Sequence, residues 1–198
     1  MEFVLLIASY LIGAIPFGLF VGKIAGVDVR QQGSRNIGAT NVSRLLGKKL
    51  GLLTLVLDVL KGFIPMAVAS TVLGKGTGMD GYIYGCGVMA VVGHMFPVYL
   101  GFKGGKGVAT GLGVFLYLSP ISILISLAIF IGTVALTGFV SAGSLMASGL
   151  FPLWLWILGN GGLTITAALI VALLIWVKHH ENIGRLLRGE EKSWKKKN

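Results

Sequence analysis

Apolar residues fill four stretches of this chain, at 3–22, 51–73, 82–100 and 108–177, and three short polar runs separate or follow them. The polar runs are GSRNIGATN (33–41), GFKGGKGVATG (101–111) and KHHENIGRLLRGEE (178–191). The first three stretches have the length of membrane-spanning helices. The fourth is broken at Ser119–Pro120, near Thr137–Gly138 and at Gly159–Gly162, which predicts pieces at 108–118, 120–136, 139–158 and 163–180. The piece at 108–118 is short: at ~1.5 Å per residue it reaches only ~17 Å, about half of a ~30 Å hydrocarbon core. It must be a half helix packed inside protein or part of a re-entrant turn, because loose polar backbone is not tolerated in lipid. The expected fold is an all-α integral membrane protein, a seven-segment transmembrane helix bundle with at least one half helix. Two long spans plus a re-entrant piece is the alternative for 108–177. Residues 1–198 are expected to be a single polytopic domain, and nothing repeats at a fixed period.

Composition agrees. Of 198 residues, 55% are hydrophobic and 12% charged, with a mean hydropathy of +0.86, which excludes an ordinary soluble domain. Phe3–Val21 is longer than a signal-peptide core and follows an acidic residue, Glu2, so it is expected to stay as a span. The one cysteine, Cys86, has no partner for an internal disulfide and reads as a small core residue. Most of the 31 glycines, Gly111, Gly113, Gly138, Gly143 and Gly149 among them, read as close-packing positions between helices in lipid.

The net charge of +10 could suggest nucleic acid, but the basic residues flank apolar spans, the pattern of topology signals and anionic-lipid contact. Loop 23–50 carries Lys23, Arg30, Arg35, Arg44, Lys48 and Lys49 against Asp28 alone, and the tail from 178 carries seven basic residues against three acids. Lys103 and Lys106 lie in loop 101–107, whereas loop 74–81 has only Lys75 and Asp80. The bias puts the N-terminus outside and the C-terminus inside. All three polar runs then share the cytoplasmic side.

Each run carries candidate chemistry. In the first, Gly33, Ser34, Asn36, Gly38, Thr40 and Asn41 precede a helical pattern in which Val42, Leu45 and Leu46 share a face, with Arg44 and Lys48 on another. Thr40 or Asn41 is expected to cap this interfacial helix, whose N-terminus would offer N–H groups to an anion. The second run sets Lys103, Gly104, Gly105 and Lys106 directly before a helix. It is not a nucleotide P-loop: three residues separate Gly101 from Gly105-Lys106 where four are needed, and Gly107 stands where Ser or Thr is required. What remains is backbone amides and two ammonium groups, again suited to phosphate. The third run brings His179, His180 and Asn182, and Ser141 begins a helix in the last apolar block. Asp58 and Lys61 stand three apart within the second apolar stretch, as a structural ion pair or with Lys61 reaching substrate. The histidines have no carboxylate cluster, so no metal or cofactor is expected, and neither an HxxxxD nor a GxSxG arrangement is present.

GSRNIGATN with Arg44, GHMFPVYLGFKGGKGVAT, and KHHENIGRLLRGEE together resemble the three motifs of the bacterial membrane acyl-phosphate–glycerol-3-phosphate acyltransferases. The resemblance implies transfer of a fatty acyl group from acyl phosphate to the C1 hydroxyl of glycerol 3-phosphate, giving lysophosphatidic acid and phosphate. That is the first acylation step of phospholipid biosynthesis, at the cytoplasmic face of the bacterial inner membrane. It implies no cofactor, no nucleic acid and no protein partner. By position, Ser34, Asn36, Thr40, Asn41 and Arg44 belong to the first motif, His94, Lys103, Gly104, Gly105 and Lys106 to the second, and His179, Asn182, Arg185 and Glu191 to the third. Arg35 stands where the family usually has glycine, and His180 where it usually has a basic residue. Catalytic roles are expected for Lys103, Arg44, His179 and Asn182. Substrate or phosphate contact is expected for Ser34, Asn36, Gly38, Thr40, Asn41, Gly104, Gly105, Lys106, Ser141, Glu191 and Lys61.

The chemistry fits the inventory. Both substrates carry phosphate, and an acyl phosphate is already activated, so no protein nucleophile is required. Positioning and charge stabilisation suffice. The base, His179 or a substrate phosphate, stays open. A transporter for a phosphorylated metabolite would call for two related halves, and a nucleotide-using kinase for a magnesium-binding carboxylate cluster. The sequence has neither.

Overall fold

The structure, a computed structural model, describes residues 1–194. Lys195, Lys196 and Lys197, which add to the tail's positive charge, lie outside the described residues. Those described form ten α-helices and a 3₁₀ turn, with no strand among them. The chain divides into two compact units, 1–117 and 118–198.

The first unit contains α1 (Glu2–Gly13), α2 (Phe17–Ile24), α3 (Ala39–Leu46), α4 (Lys48–Leu73), α5 (Asp80–Met95) and α6 (Val108–Leu118). The stretch read as one span over 3–22 is built of two helices, α1 and α2. Pro16 has no N–H and sits at the junction between α1 and α2. The Ile15 carbonyl there accepts a hydrogen bond from the Lys61 ammonium at 2.9 Å, which satisfies a backbone group that lipid could not.

α4 has the inside-out pattern of a membrane helix. Its buried face is mostly small or polar (Gly51, Thr54, Asp58, Lys61, Gly62, Ala69, Ser70), with Pro65 and Met66 among them, while Leu52, Val56, Leu60, Ile64, Val68 and Val72 are exposed. Glycines let the helix backbones touch. Side chains at Gly13 and Gly93 would collide with the facing backbones of α5 and α1, and side chains at Gly62 and Gly113 with those of α6 and α4.

The second unit contains α7 (Pro120–Thr137), α8 (Val140–Ile157), α9 (Gly162–Lys178) and α10 (His180–Leu187). The breaks match the punctuation in the sequence: α7 begins at Pro120 and α9 at Gly162. Gly143 packs on Phe130 and Val134, and Gly149 on Trp176, as close-packing positions should. Gly138 differs: it ends α7 in the left-handed region at φ 79°, which is a helix-stop role and not a packing one.

Among the described residues, five apolar helical stretches are long enough to cross a membrane: 2–24, α4, Asp80–Leu100, α7 and α8. A sixth arises if α9 and α10, bent by 59°, count as one span. α6, at 11 residues, is the short helix that the sequence called for. The protein is therefore an all-helical, multi-pass membrane protein.

Candidate active site

The first motif is a loop held from inside by one side chain. Asn41 is buried, and its amide nitrogen donates to the carbonyls of Val29 (2.9 Å), Asn36 (2.9 Å) and Gln32 (3.2 Å). Its amide oxygen accepts from the Ser34 backbone N–H at 2.8 Å. Asn41 is thus committed to shaping 29–36. The helix cap is also not where the sequence put it: Gly38, in extended conformation, is the N-cap of α3, and Asn41 lies one turn inside. The Asn36 side chain accepts from the Gly38 N–H at 2.9 Å, an Asx turn that delivers the chain into the helix. Lys48 does not share α3 with Arg44, because Gly47 at φ 88° separates α3 from α4.

Ser34 and Arg35 are exposed, and Asn36, Thr40 and Arg44 are half-buried. Arg35 adopts φ 58°, the left-handed region where glycine is at ease. That accounts for the glycine usual at this place in the motif. The loop's one acid, Asp28, is taken up by Arg30. A bidentate contact at 2.6 and 3.0 Å, with the guanidinium hydrogen bond as its main cause, holds the Asp28 carboxyl at about 2.

The second motif folds back onto the end of α5. Gly105 N–H donates to the His94 carbonyl at 3.0 Å. A Cβ at Gly104 would meet the His94 carbonyl and Pro97, and one at Gly105 the His94 imidazole. These two glycines are there because the loop is pressed against α5. Gly101 and Phe102 both turn through the left-handed region, at φ 56° and 64°, and leave the Lys103 side chain exposed while Lys106 is half-buried. Leu100 packs on a hydrophobic cluster of Leu19, Val21, Val29, Ile37 and Val42, together with Leu45 and Leu46. That cluster sits under the first motif, so the first two motifs share one end of the first unit.

Lys61 lies in the interior. Its ammonium pairs with Asp58 Oδ1 at 2.9 Å, with both side chains at most 2% exposed, donates to Ile15 and rests 5.7 Å from the Phe17 ring centre.

The third motif is a cluster within the second unit, built around a carboxylate. Glu191 Oε1 accepts from Ser141 Oγ at 2.8 Å and from Asn182 Nδ2 at 2.7 Å, and Oε2 accepts from Arg185 Nε at 2.7 Å. Ser141 does not cap α8, whose N-cap is Phe139. The Trp194 N–H donates to the Gly138 carbonyl at 2.7 Å, so residues after α10 run back to the start of α8. Burial pushes the Glu191 carboxyl up, but the hydrogen bonds from Arg185, Asn182 and Ser141 and the Arg185 charge outweigh it and hold it below its ordinary value. His179 is buried, with Nδ1 2.8 Å from the Ile175 carbonyl. A carbonyl only accepts, so Nδ1 carries a proton. His180 is exposed, with Nδ1 2.9 Å from the Val177 carbonyl.

A family model described as glycerol-3-phosphate acyltransferase matches residues 3–189, across both units. The chain belongs to the glycerol-3-phosphate acyltransferase family. A member from Desulfotalea psychrophila is 64% identical over the full length of both chains, and one from Geobacter sulfurreducens is 46% identical over 98% of both. Among solved structures, the glycerol 3-phosphate form of PlsY (YgiH), an integral membrane glycerol 3-phosphate acyltransferase, aligns with a TM-score of 0.92 at 43% identity. It covers 98% of this chain and 96% of that one. The lysophosphatidic acid form of PlsY aligns with a TM-score of 0.89 at 43% identity, covering 97% and 94%.

Within this acyltransferase, some residues that shape the motif loops had no signal in the sequence. Tyr10 on α1 donates its hydroxyl to the Phe96 carbonyl at 2.8 Å, which anchors the loop after α5 from a position 86 residues away. An aromatic residue in an apolar helix reads as packing, and only the fold reveals the carbonyl that it meets.

Proposed function

We propose that this family member transfers a fatty acyl group from acyl phosphate to the C1 hydroxyl of glycerol 3-phosphate, at the cytoplasmic face of the bacterial inner membrane. The C1 oxygen bonds to the acyl carbon, the acyl–O bond to phosphate breaks, and the hydroxyl proton leaves with the phosphate as inorganic phosphate. The observation that carries the reading is the packing of Leu45, next to Arg44, and of Leu100, three residues before the exposed Lys103, on one hydrophobic cluster in a family member. Two phosphate-bearing substrates need such cations, both for binding and for the charge that develops as phosphate leaves. Ser34, Asn36, Thr40 and Lys106 line the same two loops and contribute polar donors. Asn41, Gly38, Gly104 and Gly105 set the shape of those loops. In the third motif, Ser141, Asn182 and Glu191 act as one hydrogen-bonded group.

The deciding experiment is turnover by purified protein supplied with acyl phosphate and glycerol 3-phosphate in EDTA. Full activity is expected, with none from acyl-CoA. Activity lost in EDTA and restored by magnesium, or equal rates with acyl-CoA, would sink the donor assignment.

The same reading sets the topology: N-terminus outside, C-terminus and all three motifs inside. Arg35→Cys, Phe102→Cys and Lys192→Cys should react with an impermeant thiol reagent only from the cytoplasmic side, and Thr77→Cys only from outside. Gly104 is unsuited as a probe because a side chain there would strike α5. Labelling of Lys192→Cys from outside would break the assignment.

A further inference from the structure

The buried charges of α4 form a continuous chain of contacts with the second motif. Lys61 joins the Ile15 carbonyl at the α1–α2 junction to Asp58 Oδ1. His94 Nδ1, on α5, lies 3.7 Å from that same oxygen. The carbonyl of His94 takes the Gly105 N–H, and its ring fills the space that a Cβ at Gly105 would need. Asp58, Lys61 and His94 are all within a few per cent of complete burial. Such a group is poor value as mere stabilisation: taking each ion out of water costs several kcal/mol, and apolar replacements of equal volume are often neutral or better. What charged groups supply that apolar packing does not is a fixed direction. The carboxylate faces the imidazole edge at 3.7 Å, and the imidazole bounds where Gly105 can lie.

We propose that Asp58, Lys61 and His94 are positioning residues that fix the 103–106 loop from inside the membrane span, and so set where the Lys103 and Lys106 ammonium groups meet substrate phosphate. The proposal rests on the reading that this loop binds phosphate. Lys61, which the sequence offered as a substrate contact, is instead engaged by Asp58 and the Ile15 carbonyl, so on this proposal none of the three touches substrate. Loosening them should spare the chemistry and weaken the capture of phosphate-bearing substrate, because the loop must then be ordered at each binding event.

Two sets of variants test this in the purified full-length protein, with KM and kcat measured for both substrates. The first removes the charges while keeping hydrogen-bonding atoms, as Asp58→Asn/Lys61→Gln, since Asp58→Asn alone would strand a buried ammonium. This double variant is expected to remain folded and to raise KM roughly 10-fold with kcat within about 3-fold of wild type. The second pairs Gly105→Ala with His94→Ala. Gly105→Ala alone is expected to cost at least about 10-fold in kcat/KM, but less than about 3-fold relative to His94→Ala when that change has vacated the space, the non-additivity expected of coupled residues. Wild-type KM in the neutralised pair, or additive losses in the second set, would overturn the proposal. Lys103→Ala, run alongside, separates the two levels. If it costs activity while the relay variants do not, the relay fails and the phosphate reading stands. If Lys103→Ala is silent, both fall.

Discussion

Replacing Lys103 or Arg44 with alanine is expected to lower kcat/KM roughly 10- to 100-fold, because a charge-assisted hydrogen bond to phosphate contributes ~1.5–3 kcal/mol. For Lys103 the test is clean. Its side chain is exposed on a loop whose shape is set by Gly104, Gly105 and the left-handed turn at Gly101–Phe102, so truncation removes a charge and little packing. Arg44 is half-buried on α3, beside Leu45 and Leu46, which pack on the cluster under the first motif. Its truncation also removes packing, so the informative variant there is Arg44→Lys. That change keeps charge and much of the stem but loses the planar fork able to grip two phosphate oxygens. It should recover little. Losses confined to KM would mean that the cations hold substrate and transition state alike, and losses in kcat that they act as charge moves onto the leaving phosphate. Should both alanine variants, folded and membrane-inserted, keep wild-type kinetics, the cations would be topology anchors and the proposed site would lose its two principal residues.

Much of the backbone plan is legible in the sequence because lipid enforces it. Apolar runs have to be helices, and Pro120, Gly138 and Gly162 mark element boundaries, although Pro65 and Pro152 lie inside α4 and α8 without ending them. The shortness of α6 follows from counting. The junction at Pro16 is harder to read. Its cost is met by Lys61, 46 residues away, and a lysine inside an apolar stretch does not say which carbonyl it serves. Side-chain roles in the motifs are obscured for a related reason. Asn41 and Ser34 look equivalent as polar residues in a glycine-rich run, yet one is buried with its amide committed to three carbonyls and the other is exposed. Spacing identifies groups able to bind an anion. It does not separate those that face outward from those that hold the loop together, because that depends on carbonyl positions set by the rest of the fold.

The second large effect is expected at Glu191, where Glu191→Ala should free the segment after α10. The carboxylate, 6% exposed, takes hydrogen bonds from Ser141, Asn182 and Arg185, so truncation strands three donors at once. Breaking a buried ion pair costs about 3–5 kcal/mol. Arg185 is 28% exposed and can turn to water, which places this case at the low end. Glu191→Gln should be nearly as damaging. Oε1 meets donors from Ser141 and Asn182 and Oε2 meets one from Arg185, so whichever oxygen becomes an NH₂ group faces another donor. The readout is the Trp194 amide, whose hydrogen bond to the Gly138 carbonyl should protect it from hydrogen exchange. Protection is expected to fall roughly 100-fold in either variant, since each 1.36 kcal/mol is a factor of ten. Acid should reproduce the effect in the unaltered protein. Glu191 is held below the ordinary value of 4.5, so its stabilisation is complete above that value and is lost as pH falls through the lower, folded-state one. Trp194 protection should therefore be flat at neutral pH and decline only below the ordinary glutamate value. Protection that survives both the substitution and acid would show that the segment is held by something other than the Glu191 carboxylate.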